Sequence, residues 1–254
     1  MPSPSPLARR MAETPPRRRF GFVMLLAGLA LVLGAIGYLG YIGWFGGPVY
    51  RLVPAARAAP PRERGVAAVF LSGDSGANTG MAPHLIQAIA DRGMPVLAIN
   101  SLTAFAHRRT PEQARMLIVE ATRRALALPG VQRVVLVGQS FGADMLQFGV
   151  ATMPASLRSR IVQVILAVPG DSLVFKATPG GFLDGPPDRA ALPSARSIDW
   201  LPVTCIHGTQ EENSLCPLLH AHNVRRVTLP GDHYLHHDAA ALSATIWQAI
   251  RRGS

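Results

Sequence analysis

The stretch Arg133-Val134-Val135-Leu136-Val137-Gly138-Gln139-Ser140-Phe141-Gly142-Ala143-Asp144-Met145-Leu146-Gln147-Phe148 decides how the rest of the chain is read. It opens on a β-branched, apolar run that reads as a buried strand and closes on a run with helical character. Between them stands Gly138-x-Ser140-x-Gly142. Strand, G-x-S-x-G and helix make a nucleophile elbow, in which small flanking residues let the chain turn sharply enough to expose a serine hydroxyl at the C-terminal edge of a parallel sheet. The pentapeptide alone is weak, because Ser also caps helices in ordinary strand-to-helix turns. The downstream sequence decides between the two.

Outward from the elbow, short apolar strands alternate with helical segments. Val66–Leu71 reads as a strand, followed by the Gly-rich loop Gly73-Asp74-Ser75-Gly76-Ala77-Asn78-Thr79-Gly80. Residues 81–91 read as a helix and 95–99 as the next strand. Thr110-Pro111-Glu112-Gln113 opens a further helix, with Thr as N-cap, Pro at the first position and Gln three residues after the cap. After the elbow helix come strands at 161–168, 202–206 and 226–229 and a closing helix at 239–251. Residues 176–198 are rich in Pro and Gly and read as a short lid or a long connection. The alternation predicts an α/β fold, a mostly parallel sheet with helices on both faces, over residues 65–254.

The formal charge of +10 raises the question of nucleic acid, so its location matters. Residues 1–64 hold nine Arg against Glu13 and Glu63, whereas the other 190 residues carry 16 basic and 13 acidic groups. The folded part is only mildly basic, and no nucleic-acid partner is expected. From Phe20 to Tyr50 no residue is charged, and Phe20–Phe45 is almost continuously apolar, long enough to cross a bilayer. A cleaved signal peptide has an apolar core of about 7–15 residues, shorter than this one. Residues 20–46 therefore read as an uncleaved transmembrane signal anchor. Arg17, Arg18 and Arg19 lead it and Tyr38, Tyr41 and Trp44 sit near its end, which places the N-terminus in the cytoplasm. Residues 1–19 read as a disordered tail and 47–64, with Pro48, Pro54, Pro60 and Pro61, as a semi-extended tether. Gly34, Gly37, Gly40 and Gly43 recur every three residues, a spacing that suits helix self-association or merely a small-faced helix.

A serine nucleophile needs a base and an acid that orients the base, in the order Ser, acid, His in this fold class. After the strand ending at Ile206 comes His207-Gly208-Thr209-Gln210-Glu211-Glu212, which makes Glu211 the candidate acid and Glu212 the fallback. The strand at 226–229 ends in Pro230-Gly231-Asp232-His233, which makes His233 the candidate base. His236 and His237 follow, but zinc sites usually set spaced histidines on one helix or recruit a distant ligand, so neither metal nor cofactor is expected. The oxyanion hole should use the backbone N–H of Phe141 and that of Asp74 or Ser75. A phosphate cradle at Gly73–Gly80 would need a following Gly-Lys-Ser/Thr, which is missing. Cys205 and Cys216 are the two cysteines, and beyond a membrane anchor they can pair as a disulfide; two buried thiols are the alternative.

With these residues on the page, the chain resembles the VirJ/AcvB family of bacterial virulence-associated α/β-hydrolases, over roughly residues 66–250. The resemblance is carried by Leu71-Ser72-Gly73-Asp74, by Ser101-Leu102 with Arg109-Thr110-Pro111-Glu112, and by Ser140-Phe141-Gly142-Ala143-Asp144. It continues through Cys205-Ile206-His207-Gly208, Glu211, Ser214-Leu215-Cys216-Pro217 and Pro230-Gly231-Asp232-His233. It implies a periplasmic domain on the bacterial inner membrane and, for some members, hydrolysis of lysyl-phosphatidylglycerol, with links to virulence and acid tolerance. The chain departs from the family pattern at Ser75 and Ala77, at Thr103, Ala104 and Ala106, and at Tyr234, all in loops expected to meet substrate. The expectation is a single-pass serine esterase acting on a lipid or small ester. The rival is a non-catalytic periplasmic adaptor with secretion-system or self-association contacts.

Overall fold

The computed structural model describes residues 16–253, and the chain divides into two units, Met1–Gly40 and Tyr41–Ser254. The first holds the helix α1 (Pro16–Ile42), whose last two residues belong to the second unit. Within α1, Phe20–Ile42 is 23 residues long and apolar enough to cross a membrane. At 1.5 Å per residue this is about 35 Å. Its large apolar side chains are exposed from Phe20 to Tyr38 rather than packed in a core. Two expected boundaries move. The tail lies outside the described residues as far as residue 15, but residues 16–19 are helical, and the helix stops at Ile42 rather than 46. It stops because Gly43 turns to φ +95.

The second unit opens with β1 (Tyr50–Val53), where a tether was expected. Val96–Ile99, the strand β3, pairs with it antiparallel, from Tyr50↔Ile99 to Val53↔Val96. The Pro-rich flanks made this stretch look extended and free, yet prolines beside a short edge strand are compatible with pairing. Residues 54–64 also lie on the domain: Ala56 N–H donates to the Ala90 carbonyl, and Glu63 is buried. The tether is thus part of the α/β unit.

The elements β2 (Val66–Leu71), α2 (Ala82–Ala90), β3, α4 (Pro111–Leu126), β4 (Arg133–Gln139), α5 (Phe141–Val150) and β5 (Ile161–Ala167) follow the predicted alternation, with two unforeseen short helices between them, α3 (Ser101–Ala104) and α6 (Ala155–Arg158). Next come the hairpin of β6 (Ser172–Leu173) and β7 (Arg189–Ala190), α7 (Leu192–Arg196), β8 (Val203–Gly208), β9 (Val224–Leu229) and α8 (Ala239–Gly253). The seven-stranded sheet runs β1-β3-β2-β4-β5-β8-β9, parallel except for β1. Every residue of β2 and β5 is buried, as expected of strands covered on both faces. One face packs Phe70, Val135, Val137 and Ile165 against Leu85, Ile86 and Ile89 of α2 and Leu242, Ile246 and Ile250 of α8. Thr110 caps α4 as its sequence predicts: its Oγ1 accepts from Gln113 N–H at 3.2 Å while Gln113 Oε1 accepts from Thr110 N–H at 2.9 Å.

Strand order reverses beside β2: β3 lies on one side of it and β4 on the other. In open α/β sheets the crevice at such a switch point, beyond the carboxyl ends of the strands, is where ligands bind. The loop after β2 and the turn after β4 both emerge there. At the far side of the sheet, a disulfide joins Cys205 of β8 to Cys216, eleven residues on. Closing a loop of this size contributes roughly 3 kcal/mol in the chain-entropy model. Cys205→Ser/Cys216→Ser should lower the urea midpoint correspondingly, and reductant should lower the parent's midpoint while leaving the double variant unchanged. A parent that is insensitive to reductant would show that the bridge contributes nothing.

Candidate active site

Ser140 sits between β4 and α5 with φ 53 and ψ −128, a backbone conformation that a non-glycine residue adopts only under constraint. Glycines on both sides supply the constraint. A Cβ at Gly138 would overlap the backbone of Gly142 and Ala143, and one at Gly142 would overlap the carbonyl oxygens of Leu71 and Ser72. The turn therefore packs backbone against backbone at the end of β2, and the hydroxyl is left pointing into the crevice.

Two loops at the other side of the sheet bring the partners. β8 ends at Gly208 and leads to Glu211, and β9 leads through Pro230–Asp232 to His233. Gly208 lies flat against the carbonyls of Gly231 and Asp232, with no room for a side chain. Gln210 N–H donates to the Gly231 carbonyl at 2.9 Å and Thr209 N–H to the Leu229 carbonyl at 2.9 Å, so the two loops are one hydrogen-bonded piece. Across them, Glu211 Oε1 lies 2.6 Å from His233 Nδ1, and His233 Nε2 lies 2.8 Å from Ser140 Oγ. The Glu211 side chain is 4% exposed and that of His233 39%. Glu211 also accepts from Gly208 N–H at 3.3 Å, while Glu212 is exposed. With Nδ1–H donating to the carboxylate, Nε2 is free to accept the serine proton. The structure thus brings Ser140, His233 and Glu211 together. Asp232 instead accepts from Tyr234 N–H at 2.8 Å.

The loop after β2 runs alongside the serine. A Cβ on Gly73 would stand 3.4 Å from Ser140 Cβ, and Gly76 N–H donates to the Gly73 carbonyl at 3.1 Å. Asp74 and Ser75 occupy the corner of that turn, beside Ser140. Phe141 is the first residue of α5, where an N–H has no intrahelical acceptor. Together these border a cavity of about 250 Å³ lined by Gly73, Asp74, Ser75, Ser140, His233 and Gly180. It shares Gly80, Met81 and His237 with a shallower hollow of about 670 Å³ that also reaches His84. Gly180 comes from the Pro/Gly-rich segment, which is therefore part of the rim.

Asp144 has a structural role. Its Oδ1 accepts from Gly170 N–H at 2.8 Å, tying α5 to the bend after β5, where Val168 takes φ +49. Nothing in its spacing could have announced this, since Gly170 is 26 residues away. Burial pushes the Asp144 carboxyl well above the usual 3.8, opposed by the Gly170 N–H and reinforced by Glu211, Asp74 and Asp171. Burial also raises Asp74, with Asp184 adding to the rise and His233 opposing it.

A family model described as bacterial virulence protein (VirJ) matches residues 65–254. The chain belongs to the VirJ family. Among curated proteins, none matches. Solved structures similar to this VirJ-family chain include Est1E of Butyrivibrio proteoclasticus with ferulic acid bound, at TM-score 0.56 and 16% identity, covering 80% of this chain and 94% of that one. The Pyrococcus furiosus esterase Pf2001 matches at TM-score 0.55 and 14% identity, over 74% and 81% of the two chains. Proline iminopeptidase of Mycobacterium smegmatis matches at 0.54 and 14%, over 80% and 94%. At such identities the likeness is one of fold, and the fold of this VirJ-family chain is that of the α/β-hydrolases.

The raised Asp144 has a pH signature. Its folded pKa lies above the unfolded value of 3.8, so folding takes up a proton between the two. Its contribution to stability is complete below 3.8 and is lost as pH rises through the folded pKa. Asp144→Asn keeps an acceptor for Gly170 and cannot ionise. Its unfolding free energy relative to the parent should therefore grow as pH rises from about 4 toward the folded pKa, read by urea denaturation. A constant difference would show that Asp144 does not change its protonation on folding in that range.

Proposed function

We propose that the protein is a membrane-anchored serine hydrolase that cleaves a carboxylic ester, with an aminoacylated phospholipid of the lysyl-phosphatidylglycerol type as substrate. The observation that carries the reading is the continuous line Glu211–His233–Ser140, at 2.6 and 2.8 Å, opening into the switch-point cavity. Ser140 Oγ attacks the ester carbonyl as its proton passes to His233 Nε2, and Glu211 stabilises the resulting imidazolium through Nδ1–H. The oxyanion is received by the N–H of Phe141 and that of Asp74 or Ser75. Collapse expels the alcohol, which leaves with the proton from His233. Water, deprotonated by the same imidazole, then attacks the acyl-serine and releases the acid.

The substrate class follows from the family resemblance and from the surroundings of the serine. An apolar helix precedes the domain directly, which suits an ester held in a membrane. The carboxylates of Asp74 and Asp184 flank Gly181 at the rim, which suits an aminoacyl group carrying positive charge. The disulfide suits an oxidising compartment, the periplasm of a bacterial inner-membrane protein.

Ser140→Ala and His233→Ala should each lower ester turnover by roughly a thousandfold or more, because the three residues act as a unit. A fluorophosphonate should label the parent and not Ser140→Ala. Glu212→Gln should stay near the parent, its side chain being exposed. Parent-level hydrolysis by Ser140→Ala would refute the elbow assignment, and an unlabelled parent would favour the adaptor reading. For topology, a reporter active only in the periplasm, fused after Ser254, should be active, with Arg17–Arg19 holding the N-terminus inside. Activity of a cytoplasm-only reporter at that position would reverse the orientation.

A further inference from the structure

Phe182 and Leu183 stand side by side at 89% and 77% exposure, at the tip of the rim segment. Single exposed apolar residues are ordinary on any surface, and the pair acquires meaning from its position. The tip is not slack. Thr178 Oγ1 accepts from Leu183 N–H at 3.1 Å and donates to Asp184 Oδ1 at 2.7 Å. Gly181 N–H donates to the Thr178 carbonyl at 2.9 Å, and Asp184 N–H to the Gly181 carbonyl at 3.1 Å. A turn bonded within itself presents Phe182 and Leu183 outward.

The same rim holds the exit of α1. The Tyr41 carbonyl accepts from Asn78 Nδ2 at 2.8 Å, the Ile42 carbonyl from Asn100 Nδ2 at 3.0 Å, and the Gly43 carbonyl from Thr103 Oγ1 at 3.0 Å. Domain side chains thereby cap carbonyls that a helix end leaves unpaired. Tyr41 returns a bond from its hydroxyl to the Asn78 carbonyl at 3.2 Å, and Tyr41 and Phe45 are exposed. Gly76 lies tightly against the Ile42 carbonyl, while the Asp74 carboxylate lies against Gly181. Asp74 and Gly76 are two residues apart in one tight turn, a separation of at most about 7 Å. The chain's exit from its apolar helix and the Phe182–Leu183 tip therefore flank the turn that borders Ser140.

Resting on the membrane-anchored reading above, we propose that this rim is a lipid-docking surface. Phe182 and Leu183 enter the bilayer surface at the level where Tyr41 and Phe45 mark the end of the apolar span, and the Ser140 cavity receives its ester from that bilayer. Tyr41 suits this level, with its ring toward lipid and its hydroxyl toward the polar side, and the wholly apolar Phe182 and Leu183 reach just beneath it. Continuity with the anchor selects a bilayer over a protein as the occupant. A second protein would need a further surface beside a turn that α1 already holds at the membrane.

The test uses the full chain in nanodiscs of phosphatidylethanolamine and phosphatidylglycerol. With Cys205 and Cys216 bridged, Phe182→Cys offers one thiol for an environment-sensitive nitrobenzoxadiazole dye. Ser159→Cys, exposed just before β5 at the opposite edge of the sheet, serves as control. The dye at 182 should be blue-shifted and protected from iodide, and that at 159 should remain aqueous. Phe182→Ser/Leu183→Ser should lose on the order of tenfold in kcat/KM toward a nanodisc-borne ester and keep parent turnover of a soluble short-chain ester, with Phe182→Leu restoring most of the loss. Equal quenching at 182 and 159, dye shifts that follow protein rather than lipid concentration, or equal losses on both esters would overturn the docking proposal. If no variant and no parent turns over either ester, the hydrolase reading fails instead, and the dye still reports whether the rim meets lipid.

Discussion

The backbone contact between the β4–α5 turn and the end of β2 is the constraint on which the site depends. Gly142 lies against the carbonyls of Leu71 and Ser72, and Gly138 against the first turn of α5. Such an approach is open only to residues without a Cβ, and it holds Ser140 at a positive φ that its own side chain disfavours. The strain is local and is balanced by the packing of β2, buried throughout, and of β4, buried from Val134 to Gln139. The same contact sets the Gly73–Gly76 turn beside Ser140, so the serine and the backbone N–H groups near it are placed by one piece of backbone.

The other half of the site is built on different chemistry. Glu211 is a carboxylate removed from water, which costs free energy unless it is paired and hydrogen-bonded. His233 Nδ1–H and Gly208 N–H supply those partners. The pairing depends on two loops staying in register, and Gly208 packed flat on Gly231 and Asp232 keeps them so. The disulfide then holds the segment that carries Glu211 at both its ends.

Much of this was legible in the sequence because it rests on local chemistry. The elbow glycines, the Thr110–Gln113 capping box and the alternation of apolar strands with helices each declare themselves over a few adjacent residues. Ser140, Glu211 and His233 could be ordered because each follows a strand. What escaped depends on partners distant in the chain. β1 is four residues long with an arginine in it, and becomes a strand only because β3 pairs with it. Asp144 acquires its role from Gly170, and residues 178–184 reach the rim beside Asp74, which is more than a hundred residues earlier. Backbone donors such as Phe141 N–H carry no side-chain signature, so the motif could name them only through their neighbours.

The order of strands in the sheet has a consequence in time. β2 and β4, which carry the Gly73–Gly76 turn and Ser140, are central and are synthesised before β8 and β9, of which β9 is the edge of the sheet. A nascent or truncated chain that ends before Val224 has Ser140 but neither His233 nor the strand that leads to it. Assembly of the Ser140–His233–Glu211 line is thereby tied to completion of the polypeptide.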